Sequence, residues 1–379
     1  MKKILIVPDI PGWAVDSMCD GIISALKDRF DFTVKYSDKM STKMGKPVIN
    51  WKEDYEKYDI IYLMMSGYLP KNLPDYSKIC TTFHGGPATE SQANILQNHE
   101  FENMRMSYIS EQTKHRVTIY PFSKTKKTTI KIKNNGKPNI AAVKKKFGIR
   151  KEDKCSISSI GGNRVSISFT KIGFGLTNLC FTPQGIDIDK FYQKEVRDDF
   201  VAGYAGWLQY LEGAQKDHRR GHWIMNAWNK GDFKLSIAAG SKDFGGARNQ
   251  IKRFKPFVNQ YKKIEISLYN KDEMPNFYKG ISCYLVPDKF AGGPLPVLEA
   301  GAMGIPVICT NAGLCGDIIE NNIHGKVINN YGQFYEAIEW MKKSPIKRKK
   351  MGENLREYIR EYRTWDAVAP YWEEFFNGV

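Results

Sequence analysis

A loop poor in side chains, followed by one carboxylate, is the strongest chemical signal in the sequence. Gly292 and Gly293 precede a predicted helix at residues 296–303, in which Glu299 is the one acidic residue. The backbone N–H groups and positive dipole end of a helix N-terminus can bind a phosphate. A carboxylate one turn into the helix can accept hydrogen bonds from a ribose diol. The pattern indicates a nucleotide site; the alternative is an ordinary loop, helix and strand whose glycines serve packing.

A second candidate is His84, which ends a predicted strand at residues 79–84 and is followed by two glycines. Imidazole titrates near neutral pH and can donate or accept hydrogen bonds at a reacting group. A histidine at a strand end can equally be a structural residue whose hydrogen bonds are satisfied within the fold. From the residues alone, both interpretations stay open.

The third feature is a basic segment. Residues 112–151 contain thirteen Lys or Arg residues and no Asp or Glu, and they supply most of the formal net charge of +16. Residues 128–133 alternate as a strand does, and Asn135-Gly136 is a typical hairpin turn. We therefore predict a basic, hairpin-like insertion at about residues 117–175, with a solvated lysine-rich loop as the alternative. Its candidate contacts to a polyanion are Lys124, Lys126, Lys127, Lys131 and Lys133.

Length and composition limit the classes of protein that remain. The chain has 379 residues, 42% hydrophobic and 26% charged, which is typical of a globular protein of about two domains. No apolar run approaches the roughly 18 residues of a membrane-spanning helix. The seven cysteines include no Cys-x-x-Cys pair that would indicate zinc or a disulfide framework. We expect a cytoplasmic protein with an anionic partner: nucleic acid, a membrane surface or a phosphorylated substrate.

The candidate residues lie within two series of predicted strands that alternate with helices. Such alternation predicts parallel sheets with crossover helices, and a polar stretch at residues 192–199 separates the two series. We predict an α/β fold of two doubly wound, Rossmann-like domains, at residues 1–195 and 196–379, with a ligand cleft at the carboxyl ends of both sheets. Residues 333–376 are predicted to be nearly all helical, and the last helix can pack back on the N-terminal domain. The predicted strands are residues 3–8, 31–36, 58–65, 79–84, 106–110 and 178–183, then 200–205, 234–239, 263–268, 283–287, 306–310 and 326–328.

Several motifs, taken in chain order, resemble those of the retaining nucleotide-sugar glycosyltransferases of the GT-B fold. This family includes phosphatidylinositol mannosyltransferase and sucrose synthase. The strongest match is the stretch Leu295-Pro296-Val297-Leu298-Glu299-Ala300, continued by Ala302, Gly304, Pro306 and Val307. Weaker matches follow the family's order at Phe83-His84-Gly85-Gly86, Tyr108-Ile109-Ser110-Glu111, Thr182-Pro183-Gln184-Gly185-Ile186-Asp187 and Tyr204-Ala205-Gly206. The resemblance covers nearly the whole chain except the basic insertion.

The resemblance implies a hexosyltransferase that uses a UDP- or GDP-sugar, retains the anomeric configuration and needs neither metal nor cofactor. Glu299 would bind the ribose, and His84 would contact the transferring sugar. Without a metal, cationic side chains such as Arg219 and helix N-termini must stabilise the leaving diphosphate. The donor-binding residues that it implies are Gly12, Gly206, Lys216, Arg220, Gly292, Gly293, Leu295 and Glu299.

Three residues depart from the family's pattern. Ala291 stands where the family has a first Glu that contacts the donor sugar. Pro294 replaces a glycine and has no N–H to offer the donor. Trp207 stands where a phosphate-binding arginine usually follows the glycine at 206. These departures motivate one alternative function, a non-catalytic glycosyltransferase-like subunit.

Two acceptors fit the basic insertion. One is an envelope lipid or polymer, reached by an enzyme that is cytoplasmic and peripheral at the inner membrane face, with the insertion on anionic headgroups. The other is duplex DNA carrying a modified base, as for viral DNA-modifying glycosyltransferases, with the insertion on backbone phosphates. The sequence leaves the choice open.

Overall fold

The computed structural model contains two parallel six-stranded sheets and one antiparallel three-stranded sheet. It describes residues 1–9, 11, 14–37, 40–64, 73, 76–84, 104–114, 124–131, 154–159, 164–171, 179–192, 199–206, 219–240, 251–252, 263–289 and 293–379. Over these ranges, no helix is both long and apolar enough to cross a membrane. The two parallel sheets confirm the predicted α/β fold class.

The strands are numbered in chain order. Those before residue 190 are β1 (Lys3–Val7), β2 (Asp31–Val34), β3 (Ile60–Leu63), β4 (Ile79–Phe83), β5 (Arg105–Tyr108), β6 (Lys124–Lys131), β7 (Lys154–Ser159), β8 (Arg164–Lys171) and β9 (Leu179–Phe181). Those after it are β10 (Val201–Ala205), β11 (Lys234–Ala238), β12 (Ile264–Ser267), β13 (Cys283–Val286), β14 (Val307–Cys309) and β15 (Gly325–Val327).

The helices with defined bounds are numbered in the same way. Those before residue 280 are α1 (Ala14–Leu26), α2 (Met40–Lys43), α3 (Trp51–Lys57), α4 (Gly221–Lys230) and α5 (Met274–Lys279). Those after it are α6 (Leu295–Ala302), α7 (Leu314–Ile318), α8 (Tyr331–Lys343), α9 (Pro345–Tyr362) and α10 (Trp365–Asn377).

The first sheet has the strand order β2-β1-β3-β4-β5-β9, with every neighbouring pair parallel. Its central strands are short buried apolar runs; Ile4, Leu5 and Ile6 of β1 have no exposed surface. Such runs are typical of a parallel sheet covered on both faces. The parallel order brings the carboxyl ends of β1 and β4 to one edge, so that His84, directly after β4, lies at that edge.

The second sheet has the order β12-β11-β10-β13-β14-β15 and is also parallel throughout. Helix α6 is buried on this sheet, and its residues Val297, Leu298 and Ala300 have no exposed surface. Gly301 of α6 lies directly against Leu355 of α9. The carboxyl ends of β10, β13 and β14 therefore share the edge at which α6 begins.

The last helix returns to the first sheet. Thr364 caps α10 by accepting a hydrogen bond from the backbone N–H of Ala367. Trp372, Phe375 and Phe376 of α10 belong to the same buried cluster as the core residues of β1 and α1. The Trp372 indole N–H donates to the Pro183 carbonyl at 2.9 Å, which ties α10 to the segment after β9. The chain thus passes between the two sheets twice, once after β9 and once before α10.

A close contact where α1 meets α10 makes a stability prediction. A Cβ on Gly21 would lie 1.8 Å from the Trp365 ring, so Gly21→Ala forces the indole to move. This steric clash should lower the free energy of unfolding by about 1–3 kcal/mol. The better helix propensity of alanine offsets about 1 kcal/mol of that loss. Urea unfolding measures it. Gly332→Ala in α8 is the control, because that Cβ meets only Asn330 Oδ1 at 3.3 Å, and a loss as large there would contradict the steric explanation.

The basic insertion contains the antiparallel sheet, in the order β6-β8-β7. Strand β6 pairs with β8 along its whole length, from Lys124 opposite Lys171 to Lys131 opposite Arg164. Strand β7 pairs with the other edge of β8, from Lys154 opposite Thr170 to Ser159 opposite Val165. Lys124, Lys126, Lys127 and Lys131 lie on β6, while Lys133 and Asn135-Gly136 are outside the described residues.

Candidate active site

His84 lies at the carboxyl edge of the first sheet, directly after β4. Its Nε2 atom is shielded from solvent and has no hydrogen-bond partner among the described residues. Burial lowers the pKa of His84 to about 4, partly opposed by a hydrogen bond to the Met64 backbone. The ring is therefore neutral near pH 7. A buried nitrogen without a partner is costly in a folded protein, so the site suits a ligand that hydrogen-bonds Nε2.

Glu299 lies on α6, five residues after Pro294, and is 8% exposed. Its Oε2 accepts a hydrogen bond from the Tyr278 hydroxyl at 2.7 Å, in the contact between α5 and α6. Burial raises the pKa of Glu299 to about 7, while the Tyr278 bond and the ammonium groups of Lys190 and Lys271 lower it. The carboxyl is thus poised near neutrality, as is common for groups at functional sites.

Glu299 and Leu295 line a cavity of about 800 Å³ between the two sheets. The walls come from both halves of the chain, and those from the first half include Asp20 of α1 and the 185–191 crossover. Lys271 forms an ion pair with Asp20 across the cavity, and Lys190 pairs with Asp272 at 2.6 Å. A cavity of this size suits a nucleotide or a nucleotide-sugar.

The edge beside β10 and β13 holds a second charged group. Arg219 Nη1 lies 2.8 Å from Asp288 Oδ2, and Asp288 is only 1% exposed. Burial lowers the pKa of Arg219, but the Asp288 carboxylate, together with Tyr204 and Tyr284, raises the pKa overall. The guanidinium therefore stays charged and is held in place by Asp288. Gly206 ends β10 at the same edge, its N–H bonded to the Ala238 carbonyl at 3.0 Å.

Arg220 is placed differently from its neighbour. Its backbone has φ 47° and ψ 36°, in the left-handed region that non-glycine residues seldom adopt, directly before α4. Its guanidinium lies 4.6 Å from the centroid of the Trp223 ring. Together with Lys289, Thr310 and Asn311, Arg220 lines a cavity of about 160 Å³ at the carboxyl ends of β13 and β14. Unusual backbone geometry of this kind often occurs at ligand sites, and the two cations suit a phosphate.

The loop before α6 lies against the crossover between the sheets. A Cβ on Gly293 would lie 2.3 Å from Gln184 Oε1, so any larger residue would have to displace the amide of this buried side chain. Pro294 and Pro296 have no N–H, and the Val297 N–H bonds the Pro294 carbonyl at 2.8 Å. The first turn of α6 therefore has few N–H groups free to bind an anion. A phosphate bound here would depend more on the cationic side chains at the sheet edge, such as Arg220 and Lys289.

The two halves also touch on the far side of the cleft. The Glu111 N–H donates to Asp317 Oδ2 at 3.1 Å, and the Gly313 N–H donates to Gln112 Oε1. Burial raises the pKa of Asp317, and the Glu111 backbone bond opposes it. These bonds set the spacing of the walls of the cleft.

The structure places the described site residues in different parts of this region. Leu295 and Glu299 line the larger cavity and Arg220 lines the smaller one. His84 follows β4, Gly206 follows β10, and Gly293 precedes α6. Gly12, Lys216 and Gly292, like Ala291 and Trp207, lie outside the described residues. Among the described residues, no cluster of His, Cys, Asp or Glu side chains could hold a metal ion.

Tyr278 and Lys271 were missed by sequence reasoning. Tyr278 lies on α5, and its hydroxyl reaches Glu299 only because α5 packs on α6. Lys271 precedes that helix, and its pairing with Asp20 depends on how the two halves face each other. No local signal marks either residue.

Known proteins share both the fold and part of the sequence. Residues 229–358 match the family of glycosyl transferases group 1. The putative glycosyltransferase YtcC of Bacillus subtilis (strain 168) is 23% identical over 404 residues, covering 98% of this chain and 89% of that protein. The crystal structure of Anabaena HepE in complex with UDP has a TM-score of 0.64 at 11% identity, over 100% of both chains. Sucrose-phosphate synthase from Thermosynechococcus elongatus has a TM-score of 0.64 at 13% identity, over 100% of this chain and 98% of that one.

Two Rossmann-like α/β units that face each other across a cleft define the GT-B class of fold. Within that class, the match of residues 229–358 to the glycosyl transferases group 1 and the similarity to YtcC over nearly the whole chain support a group 1 glycosyltransferase. The family inferred from the motifs around Glu299 is thereby confirmed, as is its fold.

Proposed function

We propose that this enzyme transfers a hexose from a UDP- or GDP-sugar, with retention, to an acceptor in an envelope lipid or polymer. The observation that carries the donor assignment is Glu299, a buried carboxyl poised near neutrality in the wall of the cavity between the sheets. HepE, which shares the fold, was crystallised with UDP. A carboxylate at this position suits a ribose diol, because charged acceptors make hydrogen bonds about twice as strong as neutral ones.

The proposed reaction divides the work between the two sheet edges. The bond between the anomeric carbon and the diphosphate oxygen breaks, a bond to the acceptor oxygen forms, and the proton of the acceptor hydroxyl passes to the leaving diphosphate. Arg220 and Lys289, which line the smaller cavity, stabilise the charge that develops on the leaving diphosphate. Arg219 is held by Asp288 and adds positive potential there. His84 hydrogen-bonds the transferring sugar through Nε2, as a neutral ring.

A donor screen tests this assignment. A ligand that binds only the folded state raises the apparent stability, by about 2.7 kcal/mol when its concentration is 100 times the Kd. We expect a UDP- or GDP-sugar to raise the Tm, and the same compound to be hydrolysed slowly or transferred. If no nucleotide-sugar raises the Tm, the donor assignment is wrong. A rise in Tm with neither hydrolysis nor transfer would favour the non-catalytic subunit.

The acceptor assignment rests on the basic insertion. Many screened charges attract a polyanion, and such attraction falls steeply with salt. Changing the five lysines to Gln should weaken salt-sensitive binding to anionic vesicles and leave the donor-induced rise in Tm unchanged. The lysines are Lys124, Lys126, Lys127, Lys131 and Lys133. Co-sedimentation at low and physiological salt measures the binding, with a duplex-DNA shift assay in parallel.

The vesicle and duplex-DNA assays distinguish the envelope acceptor from the DNA acceptor. Binding to duplex DNA without binding to vesicles would replace the envelope acceptor by a DNA acceptor. If the wild type binds neither at low salt, the insertion is a solvated surface and the acceptor assignment fails, while the donor assignment stands on its own screen.

A further inference from the structure

A groove of about 450 Å³ lies at the edge of the second sheet, beside β15 and the two helices that follow it. Helix α9 lines it with Lys347, Lys350, Met351 and Asn354, whose i, i+3, i+4, i+7 spacing forms one stripe. The groove shares no lining residue with either cavity of the cleft among the described residues. It is therefore a separate site.

The lining of this groove is positively charged and contains no described acidic residue. Lys326 of β15 faces the stripe, its Nζ 3.8 Å from the centroid of the Trp340 ring and 2.6 Å from Asn322 Oδ1. Burial and the nearby Lys347 lower the pKa of Lys326, so the ammonium groups repel one another. An anion between them would relieve this repulsion.

The carboxylate that pairs with Lys350 leaves this charge largely uncompensated. Glu353 lies 3.9 Å from Lys350, but both side chains are well exposed, at 48% and 66%. Exposed ion pairs of this kind contribute little because water and salt screen them. The groove therefore suits a phosphate, flanked by the Trp340 ring and the side-chain amides of Asn322 and Asn354.

One exposed apolar side chain beside the groove indicates where the phosphate comes from. Ile346 is 84% exposed in the first turn of α9, and it lies within the run Lys342-Lys343-Ser344-Pro345-Ile346-Lys347-Arg348-Lys349-Lys350. An apolar residue surrounded by lysines, with a tryptophan nearby, is typical of a surface that lies on an anionic membrane. A small soluble phosphate ester would have no apolar part to contact Ile346, whereas a lipid has acyl chains.

We propose that this groove binds the phosphate of an anionic lipid headgroup while Ile346 enters the acyl boundary, so that the C-terminal half of the enzyme contacts the membrane. The contact is independent of the basic insertion and of the donor cavity. It is tested with the full chain by co-sedimentation with vesicles of phosphatidylcholine, with and without phosphatidylglycerol. The variants are Lys347→Gln/Lys350→Gln and, as a control of equal charge, Lys52→Gln/Lys279→Gln on exposed lysines elsewhere.

Wild type and control should bind phosphatidylglycerol vesicles, and the groove variant should bind about tenfold or more weakly, since each lysine near the surface contributes about 1 kcal/mol. Ile346→Ser should weaken vesicle binding but not the binding of soluble glycerol phosphate. Equal losses in the groove variant and the control, or no vesicle binding by wild type, would overturn the proposal. Groove-dependent binding of glycerol phosphate without vesicle binding would overturn the lipid assignment. The donor-induced Tm shift should be unchanged in every variant, so its loss would concern the donor site alone.

Discussion

Replacing His84 by alanine is expected to lower turnover by about 100-fold or more, with the affinity for UDP or GDP changed by less than about twofold. The ring is proposed to contact the transferring sugar, and an interaction made in the transition state affects kcat rather than nucleotide binding. Its Nε2 has no partner among the described residues that the mutation would deprive of a hydrogen bond. Steady-state kinetics and nucleotide titration on the same preparation measure the two effects.

Two controls separate catalysis from folding at His84. His84→Gln keeps a side chain that can donate or accept a hydrogen bond, and it should recover part of the lost turnover. The pH dependence of stability is the second control: the pKa of His84 is lowered to about 4 in the fold, against about 6.5 in an unfolded chain. Between these values the unfolded state binds more protons, so stability is present above about pH 6.5 and is lost as the pH falls toward 4.

The Tm of wild type should therefore fall more between pH 7 and pH 4 than that of His84→Ala. Equal falls would show that the ring is not buried as a neutral group. Normal turnover in His84→Ala would return this histidine to a structural role.

The strands were predictable because a buried strand of a parallel sheet is a short run of consecutive apolar residues. Residues 3–8 and 283–287 read as short apolar runs between polar stretches, and the structure has strands Lys3–Val7 and Cys283–Val286 there. The predicted helix at 296–303 is likewise present as Leu295–Ala302. Alternation of such elements restricts the connections to right-handed crossovers, so the fold follows from local patterns.

The partner of each polar side chain was not predictable, because it depends on how elements pack. Arg219 and Arg220 are adjacent and were expected to act alike on a diphosphate. In the structure Arg219 binds Asp288, 69 residues away, while Arg220 faces a small cavity from a left-handed backbone.

The contact of Tyr278 with Glu299 likewise depends on how two helices pack and was not predictable from the sequence. It changes the chemistry of the site, because the hydroxyl bond lowers a pKa that burial raises. The sequence motif identifies Glu299 as a candidate, whereas its pKa of about 7 follows from the packed structure. The donor-binding prediction for Glu299 can therefore be tested by pH as well as by mutation.

Glu299→Gln should weaken the binding of UDP or GDP by about 10- to 150-fold, because hydrogen bonds to a charged group contribute about 1.5–3 kcal/mol. A ribose diol donates to the carboxylate and favours its charged form. With a pKa of about 7, Glu299 binds part of a proton near neutrality and must release it when the nucleotide binds. The affinity of wild type should accordingly rise from pH 6 to pH 8 and level off above the pKa.

The difference between wild type and variant isolates this titration, since ionisation of the diphosphate is common to both. Glu299→Gln should lack the extra rise, and Tyr278→Phe should move the rise to higher pH, because the bond that lowers the pKa is gone. Calorimetry in buffers of different ionisation enthalpy counts the released proton directly. A variant that binds as tightly as wild type at pH 8 would remove Glu299 from the ribose site. A proton count that is the same in both proteins would mean that the carboxyl does not contact the nucleotide in its charged form, even if the mutation weakens binding.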